Sequence, residues 1–184
     1  MRWFWVDRFT EYVAGSHARG VKGVTLSDEF IHGHWDIYPV LPNSLIAEGM
    51  AQTAGLLVSE MYGFKELVVL AKFTKLTFNT AVRPSETLEY HATIGRALDA
   101  GAQCTVTATA RGVGGEREQA VAEIFFARLA TGADSDAAAK GLPARLFDPA
   151  DLVRWLHVTG VFQVGVRQDG SRMQPADYGL PVLV

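Results

Sequence analysis

A chain of 184 residues, 48% of them hydrophobic, can bury a real core as one soluble domain with room for an appendage. Its net charge of -3 leaves no electrostatic footprint for nucleic acid. Its single cysteine, Cys104, excludes a disulfide within the chain and suits a reducing, cytoplasmic setting.

Val6 to Val13 reads as a first strand. Ala14-Gly15 is a turn, and Ser16 to Leu26 a second strand. Asp28 to Pro42 reads as a loop, broken by Gly33, Pro39 and Pro42. Pro42-Asn43-Ser44 then starts a helix, with Asn43 or Ser44 as the expected cap, running to about Tyr62 and ending near Gly63. That helix is apolar around most of its circumference, which places it in a core. It is interrupted by Glu48 and Gln52 and is too short to span a bilayer, so no membrane helix is expected. Leu67 to Phe78, Thr87 to Ala97, Gln103 to Arg111 and Glu118 to Leu129 are rich in Val, Thr, Ile, Phe and Tyr and read as strands. The order of strands, one long buried helix, then a run of antiparallel strands is an α+β pattern, a sheet curled around a central helix. Cys104 lies in one of these strands and reads as a small packing residue rather than a nucleophile. At the amino terminus, Met1 to Arg8 meets charge before any apolar run, so no secretory leader is expected.

Residues 131–142 read as a linker that separates a domain over 1–130 from a C-terminal extension over 143–184. In the extension, Asp148-Pro149 is a cap and first-turn proline for a short helix from Asp151 to His157. Its apolar face includes Trp155 and Leu156, which should not both stay in water. The extension is therefore expected to pack on the domain.

Chemistry concentrates between Gly33 and Gln52. His34 sits in the loop, and Glu48 sits in the apolar helix, where a charge is costly without a partner or a task. A His and a Glu able to meet in an apolar cavity are the parts of a general acid/base pair. Gln52 follows Glu48 by four residues, on the same helical face. His32, His34 and Asp36 alternate as metal ligands could, but no further cluster completes a coordination shell, and no metal or other cofactor is expected.

Gly33-His34, Pro39-Val40, Pro42, Leu45, Glu48 and Met50-Ala51-Gln52 fall without a gap on the signature G-H-F-P-G-x-P-V-M-P-G-x-L-x-x-E-x-M-A-Q. Val6-Asp7-Arg8 and Arg83-Pro84-Ser85-Glu86-Thr87-Leu88 are similar to two further motifs of the same group. On these residues the chain resembles the 3-hydroxyacyl-[acyl-carrier-protein] dehydratases of fatty acid synthesis, from about Phe4 to Leu129. The resemblance implies a hotdog fold: a curved antiparallel sheet wrapped around a central helix. It implies a homodimer, or an assembly of dimers, whose sites lie at the interface. It implies catalysis by His34 as base and Glu48 as acid, the His of one subunit facing the Glu of the other. It also implies an acidic acyl carrier protein as partner, met by some of Arg2, Arg8, Arg19, Lys22, Lys72, Lys75 and Arg83. Gly33, Trp35, Asn43 and Gln52 are the expected substrate-binding residues, with Gln52 orienting the site rather than reacting.

The chain departs from the signature where Trp35-Asp36-Ile37 replaces Phe-Pro-Gly and where Asn43 replaces a glycine. Asn43 keeps the backbone N–H but adds a side chain where glycine lets the backbone approach closely. Two alternatives stay open. One is a hotdog thioesterase that uses Glu48 to direct water. The other is an acyl-binding or scaffold subunit that is inactive by itself.

Overall fold

The computed structural model describes residues 4–33, 37–129, 141 and 148–181. The described residues hold seven strands: β1 (Arg8–Val13), β2 (His17–Gly23), β3 (Leu67–Phe78), β4 (Thr87–Leu98), β5 (Gly101–Gly112), β6 (Gly115–Leu129) and β7 (Gly165–Val166). They form one sheet in the order β3-β6-β5-β4-β2-β1-β7. All neighbours pair antiparallel except β1 and β7, which run parallel. The helices are α1 (Glu29–His32), α2 (Asn43–Met61), α3 (Pro149–Val158) and α4 (Val161–Val164). A 3₁₀ turn spans Pro175–Tyr178. None of the described helices is long and apolar enough to cross a membrane.

The sheet curves around α2 because its inner face is built from small side chains. Ala92, Ala102, Cys104, Ala108, Ala110, Ala120 and Ala122 are fully buried there. The helix answers with its own small residues. A Cβ on Gly49 would lie 2.4 Å from the Tyr90 ring, and one on Gly55 would lie 3.0 Å from Phe126. On β2, a Cβ on Gly20 would lie 2.8 Å from Val6. Close helix–sheet approach at these points is possible only without a side chain. Ile46, Met50, Leu57 and Val58 of α2 then fill the remaining core. Burial pushes the Cys104 thiol up to about 12, as befits a packing residue.

Strands β4, β5 and β6 run one to three residues beyond the sequence reading, α4 and the 3₁₀ turn are absent from it, and four further departures have a local physical cause. The segment read as a loop contains α1, one turn with no side-chain cap; it exists because Ile31 is fully buried and Phe30 packs edge-on against Trp5 at 4.7 Å. Neither Asn43 nor Ser44 caps α2. Pro42 takes that position, and its carbonyl accepts from Leu45 and Ile46, so Asn43 is already helical. The first two strands are shorter than expected, because the Asp7 carboxylate accepts the Gly23 N–H where a ladder bond would otherwise continue. The sheet is mixed rather than wholly antiparallel, through β7. Two residues are too few to show a strand period. Gly165 is needed there because a Cβ would lie 2.5 Å from the Val161 carbonyl.

Two backbone hydrogen bonds and a buried apolar face hold the C-terminal segment against the rest of the fold. The Phe9 N–H donates to the Thr159 carbonyl at 2.7 Å, and the Ala14 N–H to the Val166 carbonyl at 2.9 Å. Asp148 caps α3 through the Ala150 N–H, in agreement with the sequence reading. Leu152, Val153, Trp155 and Leu156 of α3 are buried. Except for Gly141, residues 131–142 lie outside the described residues.

Candidate active site

The second turn of α2 carries Glu48 on the one side of the helix that the sheet leaves uncovered. Asn43, Ser44 and Glu48 are exposed, and Ala47 and Gln52 are half-buried. The apolar enclosure expected for Glu48 is therefore not supplied by the described residues. The spacing of four brings Gln52 beside it: the Gln52 Nε2 donates to the Glu48 Oε1 at 2.8 Å. The other end of the same amide is also fixed, since the Trp5 backbone N–H donates to the Gln52 Oε1 at 2.8 Å. An amide anchored at its oxygen can point only its NH₂ toward the carboxylate. Glu48 is thus held by a chain of two hydrogen bonds that begins on the backbone of the amino-terminal segment. The sequence showed the Glu48–Gln52 pair but not Trp5, because a backbone donor carries no residue signature.

Gly33 is exposed and ends α1, its N–H bonded to the Glu29 carbonyl. His34, Trp35 and Asp36 lie outside the described residues. Tyr38 is held by Arg83, which donates to its hydroxyl at 2.7 Å and lies 5.3 Å from its ring centroid. Asn43 lines a cavity of about 430 Å³ together with Val40, Leu41, Pro42, Phe78, Asn79, Thr80 and Ala81. Glu48 and Gln52 do not line it, so Asn43 is not brought together with that pair.

The wall of this cavity formed by residues 78–81 is rigidly tied. Buried Gln119 accepts from the Thr80 hydroxyl at 2.8 Å and donates to the Thr80 carbonyl. Arg117 donates to the Ala81 carbonyl and grips Glu86 through two bonds of 2.6 and 2.8 Å. That grip holds the Glu86 carboxyl below the usual carboxylate range.

A second carboxylate on α2 escaped the sequence reading. Glu60, in the last turn, is buried and accepts from the Tyr178 hydroxyl at 2.8 Å and the Gly15 N–H at 2.9 Å. Burial raises its pKa, against the pull of these two bonds and of Arg167. Of the basic residues considered for a partner, Arg19 is paired with Glu11 and Glu89, and Lys22 with Asp7. Arg2 lies outside the described residues. Lys72 and Lys75 are exposed on β3.

The architecture is that of the hotdog fold: a curved sheet around one long helix. A thioesterase family protein from Silicibacter pomeroyi superposes with a TM-score of 0.56 at 15% identity, covering 66% of this chain and 82% of that one. An acyl-CoA hydrolase from Bacillus cereus gives 0.53 at 19% identity, covering 65% and 70%. At such identities the likeness concerns the fold alone. The sequence is more specific. Residues 4–124 match the FabA-like domain, and the chain belongs to that family. It is 42% identical over 85 residues to a 3-hydroxyacyl-[acyl-carrier-protein] dehydratase FabZ from Pseudothermotoga lettingae, an alignment covering 46% of this chain and 59% of the relative. The FabZ of Streptococcus pyogenes is 40% identical over 89 residues, 48% of this chain and 63% of the relative. The chain thus spans about three-fifths of the length of these curated relatives.

Proposed function

We propose that this protein removes water from 3-hydroxyacyl thioesters carried on an acyl carrier protein, giving trans-2-enoyl thioesters. The observation that carries the reading is the Glu48 carboxylate, held by an anchored Gln52 in register with the family signature. The relatives named above are dehydratases of this kind.

The elimination needs a base for the proton next to the thioester, an acid for the departing hydroxyl, and a donor for the thioester oxygen as charge builds on it. His34 takes the proton, and Glu48 protonates the leaving hydroxyl. The α2 N-terminus supplies the donor: among the described residues no side chain caps it, and with Leu45 and Ile46 bonded to Pro42 the Asn43 and Ser44 N–H groups and the positive end of the dipole serve an acyl oxygen. Gly33, Trp35 and Asn43 form acyl-binding walls, with Asn43 contributing through its cavity. The reaction involves no metal or organic cofactor. Residues 1–130 are the catalytic domain, residues 131–142 a linker, and residues 143–184 an extension.

The exposure of Glu48 in a single chain fits a site completed by a second copy. The sheet offers a place for pairing: β3 is an edge strand of 12 residues with Leu70 exposed. A long edge strand with unpaired backbone groups is a template for another chain. Exposed Lys72 and Lys75 on β3 give an acidic carrier a local basic contact that the overall charge does not.

The test is a mass-spectrometric turnover assay on 3-hydroxyacyl thioesters of several lengths, on carrier protein and on coenzyme A. Wild type is expected to lose one water from the acyl group, and His34→Ala and Glu48→Gln to lose this activity. Release of free acid and thiol would replace the reading with a thioesterase. No conversion of any thioester would overturn it in favour of a binding role.

A further inference from the structure

The extension reaches the Glu48 pair through the amino-terminal segment. Phe4 stacks on Trp155 of α3, ring centroids 4.0 Å apart and planes 14° from parallel. The next residue, Trp5, donates its backbone N–H to Gln52, which donates to Glu48. The Trp5 ring meets Phe30 of α1 edge-on. This dipeptide therefore touches the support of Glu48, and a buried tryptophan from outside the family-matched region backs it. Helix α3 is itself fixed: the Thr159 hydroxyl and N–H both donate to the Trp155 carbonyl, and the Thr159 carbonyl takes the Phe9 N–H.

We propose that Trp155 is a positioning residue. By packing on Phe4 it fixes the Trp5 amide, and through it the orientation of Gln52 and Glu48. Phe4 and Trp5 precede β1, and the stack on Trp155 lies one residue from the amide that bonds Gln52. The extension is then part of the catalytic apparatus rather than a cover for the sheet. This inference rests on the dehydratase reading for its kinetic test, and it has a second test that does not.

The experiment compares wild type with Trp155→Ala, Trp155→Phe, Gln52→Leu and the Trp155→Ala/Gln52→Leu pair, with Val158→Ser on the exposed side of α3 as control. In the full chain, Trp155→Ala is expected to lower kcat on the order of 10-fold, because small misplacements of a reacting group are costly in rate. KM should change by less than about twofold, since positioning acts on the reacting step. Trp155→Phe, which keeps a ring against Phe4, should restore most of the rate, and Val158→Ser should match wild type. In the Gln52→Leu background, Trp155→Ala should cost nothing further, because the path it acts through is already cut. Equal losses in both backgrounds would overturn the proposal. The activity-independent arm is hydrogen exchange at the Trp5 amide, expected to quicken in Trp155→Ala while β4 and β5 stay protected. Unchanged Trp5 exchange, or faster exchange throughout the sheet, would also overturn it. Absence of wild-type turnover would remove the dehydratase reading, and the exchange result would still decide the positioning claim.

Discussion

At the scale of single residues, the two ends of α2 use carboxylates in opposite ways. Glu48 is exposed and held by an amide, whereas Glu60 is buried under Tyr178 with a raised pKa. A raised folded-state pKa means that the native state binds the proton more tightly than the unfolded chain. Its contribution to stability is full below the ordinary carboxylate pKa and is lost as pH rises through the higher folded value. Glu86, lowered mainly by the hydrogen bonds from Arg117, has the reverse sign. Its contribution is full above the ordinary value and is lost as pH falls through the lower folded one. Thermal unfolding followed against pH should therefore show Glu60→Gln removing a decline on the neutral side of the carboxylate range. Glu86→Gln should remove a decline on the acid side. A Glu60→Gln protein with an unchanged profile would contradict the burial argument. Glu48, Gln52 and their spacing could be read from the sequence because a helix makes residues four apart into neighbours. Glu60 could not: its partners, Gly15 and Tyr178, are 45 and 118 residues away.

At the scale of elements, local pattern and tertiary context divided the outcome. The limits of β3 agree with the sequence reading, and α2 differs from it only at its ends, because a long run of one residue class sets a clear period. Helix α1 and strand β7 exist only through packing, the first around Ile31 and the second along β1, so no local signal announced them. The fit of α2 to the sheet depends on Gly49 facing Tyr90. Gly49→Ala would force the Tyr90 ring aside and is expected to destabilise the fold by about 1–3 kcal/mol, the usual range for overpacking. Tyr90→Phe should do the opposite. Its hydroxyl is fully buried and has no hydrogen-bond partner among the described residues, and removing an unsatisfied buried group is expected to gain about 1 kcal/mol or more. Denaturant unfolding of both variants checks the pair. Destabilisation by Tyr90→Phe would show that the hydroxyl has a partner in solution.

At the scale of the whole molecule, the two edges of the sheet have different fates. The β1 edge is covered by β7, with Gly165 allowing the close pass, while β3 has no strand on its outer side among the described residues. Association through β3 would leave the extension free to act on the site from within its own chain, through Phe4 and Trp5. The sequence announced the extension and the apolar face of its helix. Its route to Glu48 was hidden, because it runs through a ring stack and a backbone donor. The most direct test of the central claim, one dehydratase site made from His34 of one protomer and Glu48 of its partner, is to mix the two single variants. His34→Ala and Glu48→Gln proteins are dissociated, combined and reassociated, and the mass of the acyl group is followed. Random pairing makes half the dimers mixed, each with one intact site, so water loss should return to about a quarter of the wild-type rate. No recovery from a mixture that has demonstrably exchanged subunits would contradict the shared site.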